Sequence, residues 1–282
     1  MSRWVAPLFV LIWSTGFIVA RYGLPYAEPG WFLSLRFGLV LVVLMPIVLV
    51  ARAPWPAPRQ AGHMAIAGLM MQAGYLGGVW SAIKLGMGAS LAALIVGLQP
   101  LLTAAAGRWL GEPPSARQWF GLLLGLVGVA LVVGHRIGSI GVTPVTLTWI
   151  VIGLISITAG TLYQRRYCTA IDLRTGSAIQ FAASLLLTGP FAWCFETRRV
   201  DWNAPMIGAL AWSVLALSIG ATSLLFTLIR RGAATHVASL MYLTPAVTAL
   251  MAWGLFGEPL TTAMLAGMAL TAVGVMLARS AG

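Results

Sequence analysis

Apolar runs of roughly 20 residues follow one another along the chain, each long enough as a helix to cross a hydrocarbon core about 30 Å thick. Short polar breaks rich in glycine, proline and arginine separate them. The pattern predicts ten helices, over residues 4–23, 30–51, 62–83, 89–110, 117–134, 145–164, 175–195, 204–229, 234–256 and 260–279. The connections are too short to hold a soluble domain. The fold class is therefore an all-α membrane protein with ten transmembrane helices.

The second half of the chain repeats the first. Gly16 and Arg21 return as Gly160 and Arg165, and Phe37, Leu41 and Pro46 return as Phe181, Leu185 and Pro190. Gly74 and Gly86 match Gly220 and Gly232, and Pro100, Thr103 and Ala104 match Pro245, Thr248 and Ala249. Gly111-Glu112-Pro113 returns as Gly257-Glu258-Pro259, with Gly121 and Gly128 answered by Gly267 and Gly274. Residues 1–138 and 139–282 are read as two five-helix units. Five crossings is an odd number, so the second unit is inverted relative to the first. Inverted repeats around a central cavity are the layout of secondary transporters.

Composition agrees with the membrane placement. Hydrophobic residues make up 60% of the chain and charged ones 8%, with a mean hydropathy of +0.92, too apolar for a water-soluble surface. The net charge of +11 forms no stripe, so nucleic-acid binding is not indicated. The basic residues sit at helix ends, where they orient the spans. With the N-terminus inside, the inner ends hold Arg3, Arg52, Arg59, Arg108, Arg117, Arg165, Arg166, Arg174, Arg230, Arg231 and Arg279. The outer ends hold only Arg21, Lys84, Arg136, Arg198 and Arg199. Both termini are expected on the cytoplasmic side of a bacterial inner membrane, in a multi-pass protein. Arg3 before the apolar run could pass for a signal peptide, but helix 1 has its repeat partner in helix 6 and reads as a retained span. Cys168 and Cys194 lie too far apart along one helix to be bridged.

Polar side chains are costly in the hydrocarbon layer and should face the interior. Gln72 and Tyr75 share one face near the middle of helix 3. Gln99 precedes Pro100 in helix 4, and Thr244-Pro245, with Tyr242 nearby, is the counterpart in helix 9. Each proline removes a backbone hydrogen bond, so Pro100 and Pro245 are expected kink or hinge points beside a binding cavity. Trp13, Ser14, Thr15, Thr158, Tyr163, Thr222 and Phe226 are further candidates at similar depth, although hydroxyls in membrane helices often bond only neighbouring backbone. Trp80 reads equally as a cavity wall or an interfacial anchor. Arg36 is a basic residue inside a span, with the neutral Gln180 as its counterpart; snorkelling outward and a functional role are both open.

The two Gly-Glu-Pro runs suit a structural reading, with glycine ending one helix, proline starting the next and glutamate beside a helix N-terminus. Gly121, Gly125 and Gly128 allow close helix approach, in packing or in a dimer seam.

Taken together, Trp13-Ser14-Thr15, Pro29 with Arg36-Phe37, and the proline-centred helix 4 leading to Gly-Glu-Pro and a glycine-rich helix 5 carry a family resemblance. With the same series repeated in helices 9 and 10, the whole chain resembles the drug/metabolite transporter superfamily, in its ten-helix EamA-type branch. The resemblance implies a cavity lined by helices 1, 3, 4, 6, 8 and 9. It implies peripheral helices 5 and 10, with homodimer contacts there in some relatives. It also implies movement of small metabolites, often export of amino acids, with the bacterial aromatic-amino-acid exporters among the similar proteins.

All six acidic residues fall in loops or at helix ends, so no buried carboxylate relay for proton or sodium coupling is expected. His63, His135 and His236 also sit near helix ends. No embedded aspartate pair, serine–histidine pair, metal-ligand cluster or phosphate loop is present, so no catalytic site, cofactor or metal is expected. The substrate-binding candidates are Trp13, Gln72, Tyr75, Trp80, Gln99, Tyr163, Thr222 and Tyr242, a neutral set suited to an uncharged or zwitterionic metabolite. The sequence reads as an exporter of small metabolites, foremost amino acids, working by alternating access without obligatory ion coupling. A drug or toxic-cation efflux transporter of the same fold, or a channel-like pore, is the alternative.

Overall fold

In the computed structural model of the chain, residues 5–107, 111, 114–136, 141–168, 171–224 and 243–279 are described. Ten helical segments lie among them: α1 (Val5–Gly23), α2 (Pro29–Val50), α3 (Pro58–Lys84), α4 (Ala89–Ala105), α5 (Ala116–Arg136), α6 (Pro144–Tyr167), α7 (Leu173–Phe195), α8 (Ala204–Leu224), α9 (Thr244–Phe256) and α10 (Thr262–Arg279). By length and composition α2, α3, α5, α6, α7 and α8 can each cross a membrane, while α1, α4, α9 and α10 are shorter apolar helices. Large apolar side chains such as Val42, Leu126, Leu186 and Trp193 face outward, the surface a bilayer would cover.

Helix starts follow local chemistry. Asn203 and Asp172 accept backbone N–H bonds at the starts of α8 and α7, and Thr143 forms a capping box with Thr146 ahead of Pro144. Prolines at the first turns of α2, α6 and α8 cost no hydrogen bond there.

The helix pairing exchanges the two halves. The α2·α7 and α5·α10 pairs each join repeat-related helices; α3·α6 answers α1·α8, and α4·α6 answers α1·α9. The α5·α10 seam shows it most clearly. Gly128 abuts Gly267 and Gly121 abuts Gly274, backbone against backbone. Because Gly121 and Gly267 are repeat mates, as are Gly128 and Gly274, each contact is the image of the other under a two-fold rotation. The same contacts make α5 and α10 antiparallel, as the bonds from Gly30 to Glu196 and from Ser34 to Thr188 do for α2 and α7. Helices with equivalent sequences thus run in opposite directions. This small-residue face is used within the chain, so the glycine spacing of α5 is explained without a second copy.

Among the described residues, α3, α4 and α8 depart from regular geometry. α4 breaks at Gly97–Leu98, between Val96 and Gln99, because Pro100 has no N–H to offer the Val96 carbonyl. The break lies in the turn before the proline. α9 is described only from Thr244, so the stretch leading into Pro245 lies outside the described residues. α3 carries a π-helical segment at Leu69–Gly74 and α8 one at Ser213–Ala221. Both include their member of the Gly74/Gly220 repeat pair. Such segments release backbone groups and are frequent at functional sites.

The connections α1–α2, α3–α4, α7–α8 and α9–α10 meet on one face, here called distal because it lies opposite the start of α1. Asp201 N–H donates to the Tyr26 carbonyl, Thr197 N–H to Glu28, and the Lys84 ammonium to the Leu24 carbonyl.

Candidate functional site

Gln72 and Tyr75 fall on and just after the π segment of α3, about 13 to 18 Å along the helix from its distal end at 1.5 Å per residue. Tyr75 is half-buried. The helix is held against α6 where Gly74 meets Ser156, Gly78 meets Gly153, and Gly160 meets Met70 and Met71. Gln99 also lies against α6. Its amide donates to Thr161 Oγ1 at 3.3 Å and Thr103 Oγ1 at 3.2 Å, immediately after the α4 break.

The remaining candidates separate. Trp80 is only 1% exposed and packs against Phe32 with ring centroids 4.6 Å apart. It is part of the packed core, neither at an interface nor on an open wall. Tyr163 lies far from the distal face, where its hydroxyl meets His63 Nδ1 at 2.7 Å. His63 is stacked on Tyr167 at 5.0 Å, so it is tied into an aromatic cluster and not simply turned to headgroups. Trp13 is half-buried beside Phe9, and Thr222 is half-buried in the last described turn of α8. Ser14 and Thr244 are buried, and their hydroxyls have no partner among the described residues. Thr158 bonds the Leu154 carbonyl in its own helix. Tyr242, Phe226, His236, Glu112 and Pro113 lie outside the described residues.

Arg36 corrects the expectation of a neutral interior. Its side chain does not snorkel: it is 7% exposed, and both Nε and Nη2 donate to Ser218 Oγ, at 3.2 and 3.1 Å. Ser218 lies well inside the π segment of α8, whose start is joined to that of α2 by the Ala27–Val200 bridge. The guanidinium is thus directed away from the distal surface.

The distal face has its own electrostatics. Glu258 is buried and accepts from Ala89 N–H at 2.8 Å, Ser90 N–H at 3.1 Å and Ser90 Oγ at 2.5 Å. The helix it caps is α4, in the other repeat, and not α10, which follows it. Glu196 does the same for α2, accepting from Gly30 and Trp31 N–H. Burial raises the Glu196 carboxyl above the ordinary glutamate range, and these backbone donors oppose the shift. At the opposite face, the Arg174 guanidinium hydrogen-bonds Asp172 and lowers its carboxyl to about 2, while burial pushes the Cys168 thiol up. Cys168 and Cys194 are free thiols.

A cavity of about 520 Å³ opens at the distal face, lined among others by Arg21, Tyr22, Tyr26, Lys84, Met87 and Phe256. None of the seven candidates among the described residues lines it. Among the described residues no cluster of histidine, cysteine or carboxylate side chains could hold a metal.

A membrane-embedded pair of inverted repeats, with broken and π-distorted helices meeting polar side chains at mid-depth, defines a transporter architecture. Comparison with known families gives the same class: the chain matches the EamA-like transporter family twice, over residues 4–134 and 145–280. It belongs to that family. The chain is similar to the uncharacterized inner membrane transporter YedA of Escherichia coli K12, at 27% identity covering 92% of this chain and 86% of that one. It is similar at 27% identity to a probable amino-acid metabolite efflux pump of Salmonella typhimurium, covering 98% and 95%. A solved crystal structure shares the fold, with a TM-score of 0.67 at 21% identity over 97% of this chain.

Proposed function

We propose that the protein exports small metabolites, with amino acids the foremost class, across a bacterial inner membrane by alternating access. Ten helices arranged as inverted repeats are what carry this reading. Two structurally equivalent, oppositely oriented halves can exchange conformations, and the exchange moves a mid-membrane site from one face to the other. The similarity to efflux pumps supports outward movement, and the excess of arginine at the predicted inner ends supports cytoplasmic termini.

The described carboxylates are placed at helix ends and in loops: Glu28 and Asp172 at helix starts, Glu196 at a helix end, Asp201 and Glu258 in connections. That placement supports transport down the substrate's own gradient. Gln72, Tyr75 and Gln99 are the polar side chains proposed to meet substrate, with the α4 break ahead of Pro100 as a hinge and Pro245 as its counterpart. Residues 1–138 and 139–282 are the proposed moving halves.

Counterflow of a panel of radiolabelled amino acids into proteoliposomes preloaded with the same unlabelled compound tests the substrate class. At least one member should exchange; a panel with no exchange by folded protein removes amino acids from the proposal.

A further inference from the structure

We infer that Arg36, oriented by Ser218, forms an anion subsite that takes the carboxylate of the transported molecule. This deepens the exporter reading and rests on it.

A guanidinium stays charged at any physiological pH. A charge removed from water costs many kcal/mol unless it is paired. Arg36 is buried where α2, α3 and α8 meet, and among the described residues no carboxylate lies within ion-pair distance of it. Its hydrogen-bond partner is a single hydroxyl, which accepts from Nε and Nη2 and donates its own proton to the Ser213 carbonyl at 3.0 Å. Ser218 is thereby saturated, and Nη1 makes no hydrogen bond among the described residues. A neutral hydroxyl orients the guanidinium and does not neutralise it.

The remaining N–H edge suits a carboxylate, which binds arginine through two parallel bonds. Gln72 stands on the π segment of α3, half-buried, where its amide can meet the remainder of the substrate.

The repeat isolates the feature. Arg36 corresponds to Gln180 and Ser218 to Gln72. The second half therefore has a neutral amide where the first has a cation, and Gln180 bonds the Gln164 amide at 3.2 Å instead. The symmetric framework accommodates a glutamine at this position, so the charge is an addition that folding does not require. The substrate class assigned is a small molecule with a free carboxylate: an amino acid if the exporter reading holds in full, an amine-free carboxylic acid otherwise.

The test uses the full-length purified protein in proteoliposomes and in detergent. In counterflow, an exchanging amino acid should be inhibited by its unlabelled free acid at least tenfold more effectively than by its carboxamide or decarboxylated amine. Arg36→Gln should raise KM at least tenfold while the melting temperature shows that it remains folded; Arg36→Lys should recover part of the loss. Equal competition by acid and carboxamide, or unchanged KM in Arg36→Gln, overturns the inference while leaving amino-acid export standing. If no amino acid exchanges, melting-temperature shifts with lactate and benzoate decide the question. A rise in wild type that is absent from Arg36→Gln supports the subsite without the amino-acid reading, and no shift in wild type overturns it.

Discussion

Arg21 and Glu258, 237 positions apart in the chain, form an ion pair at 2.5 Å on the distal face. The pair joins the end of α1 to the α9–α10 connection, and Glu258 also holds the first N–H groups of α4. These two roles differ in weight. Removing the carboxylate leaves buried backbone donors unsatisfied, which costs about 1–3 kcal/mol. Removing the arginine, which is partly exposed, costs under about 1 kcal/mol. Glu258→Ala should therefore lower the melting temperature well beyond Arg21→Ala. Equal effects would mean that the ion pair, not the helix cap, holds this corner.

The α5·α10 seam should be intolerant of side chains. A methyl group at Gly128 would stand 2.7 Å from the Gly267 carbonyl, so Gly128→Val should destabilise by about 1–3 kcal/mol or more through overpacking. Gly134, with no described atom within 4 Å of where its side chain would start, is the contrast: Gly134→Ala should be neutral or slightly stabilising. Thermal unfolding of the two variants in detergent measures the difference.

Cysteines substituted for Gln72, Tyr75 and Gln99, in a background lacking Cys168 and Cys194, should react with a small water-soluble thiol reagent. Tyr242→Cys extends the set to the other repeat. Leu91→Cys, at a fully buried position, should be protected. Protection of the first three in folded protein would make them packing residues.

Asp172 caps α7 through the Arg174 N–H at 2.9 Å, and its carboxyl is lowered to about 2. A carboxyl lowered from its unfolded value near 3.9 adds stability above that range and loses it as pH falls through the folded value. Asp172→Ala should cost about 1 kcal/mol at neutral pH, and the difference from wild type should shrink as pH falls through about 2 and vanish only below it. Asp172→Asn, which keeps an acceptor, should lose less. A constant difference across that range would show that the charge is not responsible.

The chain's periodicity and its doubled glycine and proline signals were enough to read the helices and the repeat, because both are written in local composition. The Gln72–Tyr75 pair was legible for the same reason: two polar groups three apart in an apolar span share one face. Arg36 was visible, but its direction was not, because its partner Ser218 is supplied by the other repeat through a π segment in an otherwise apolar stretch. A serine in such a stretch looks like a hydroxyl bonded to its own helix. Trp80 is ambiguous for a related reason, since an indole near a helix end serves equally as anchor, cavity wall or core, and only Phe32 decides. Glu258 was correctly placed beside a helix N-terminus, yet the helix belongs to the opposite half, a contact that only tertiary packing makes.

The central claim is carrier exchange without obligatory ion coupling. It is tested most directly by counterflow in proteoliposomes with proton and sodium gradients collapsed by ionophores. Liposomes loaded with unlabelled substrate should accumulate external label transiently above its equilibrium level and then release it, because a carrier couples inward and outward movements. A smooth approach to equilibrium with no overshoot would indicate a pore, and exchange that appears only when an ion gradient is restored would contradict uncoupled transport.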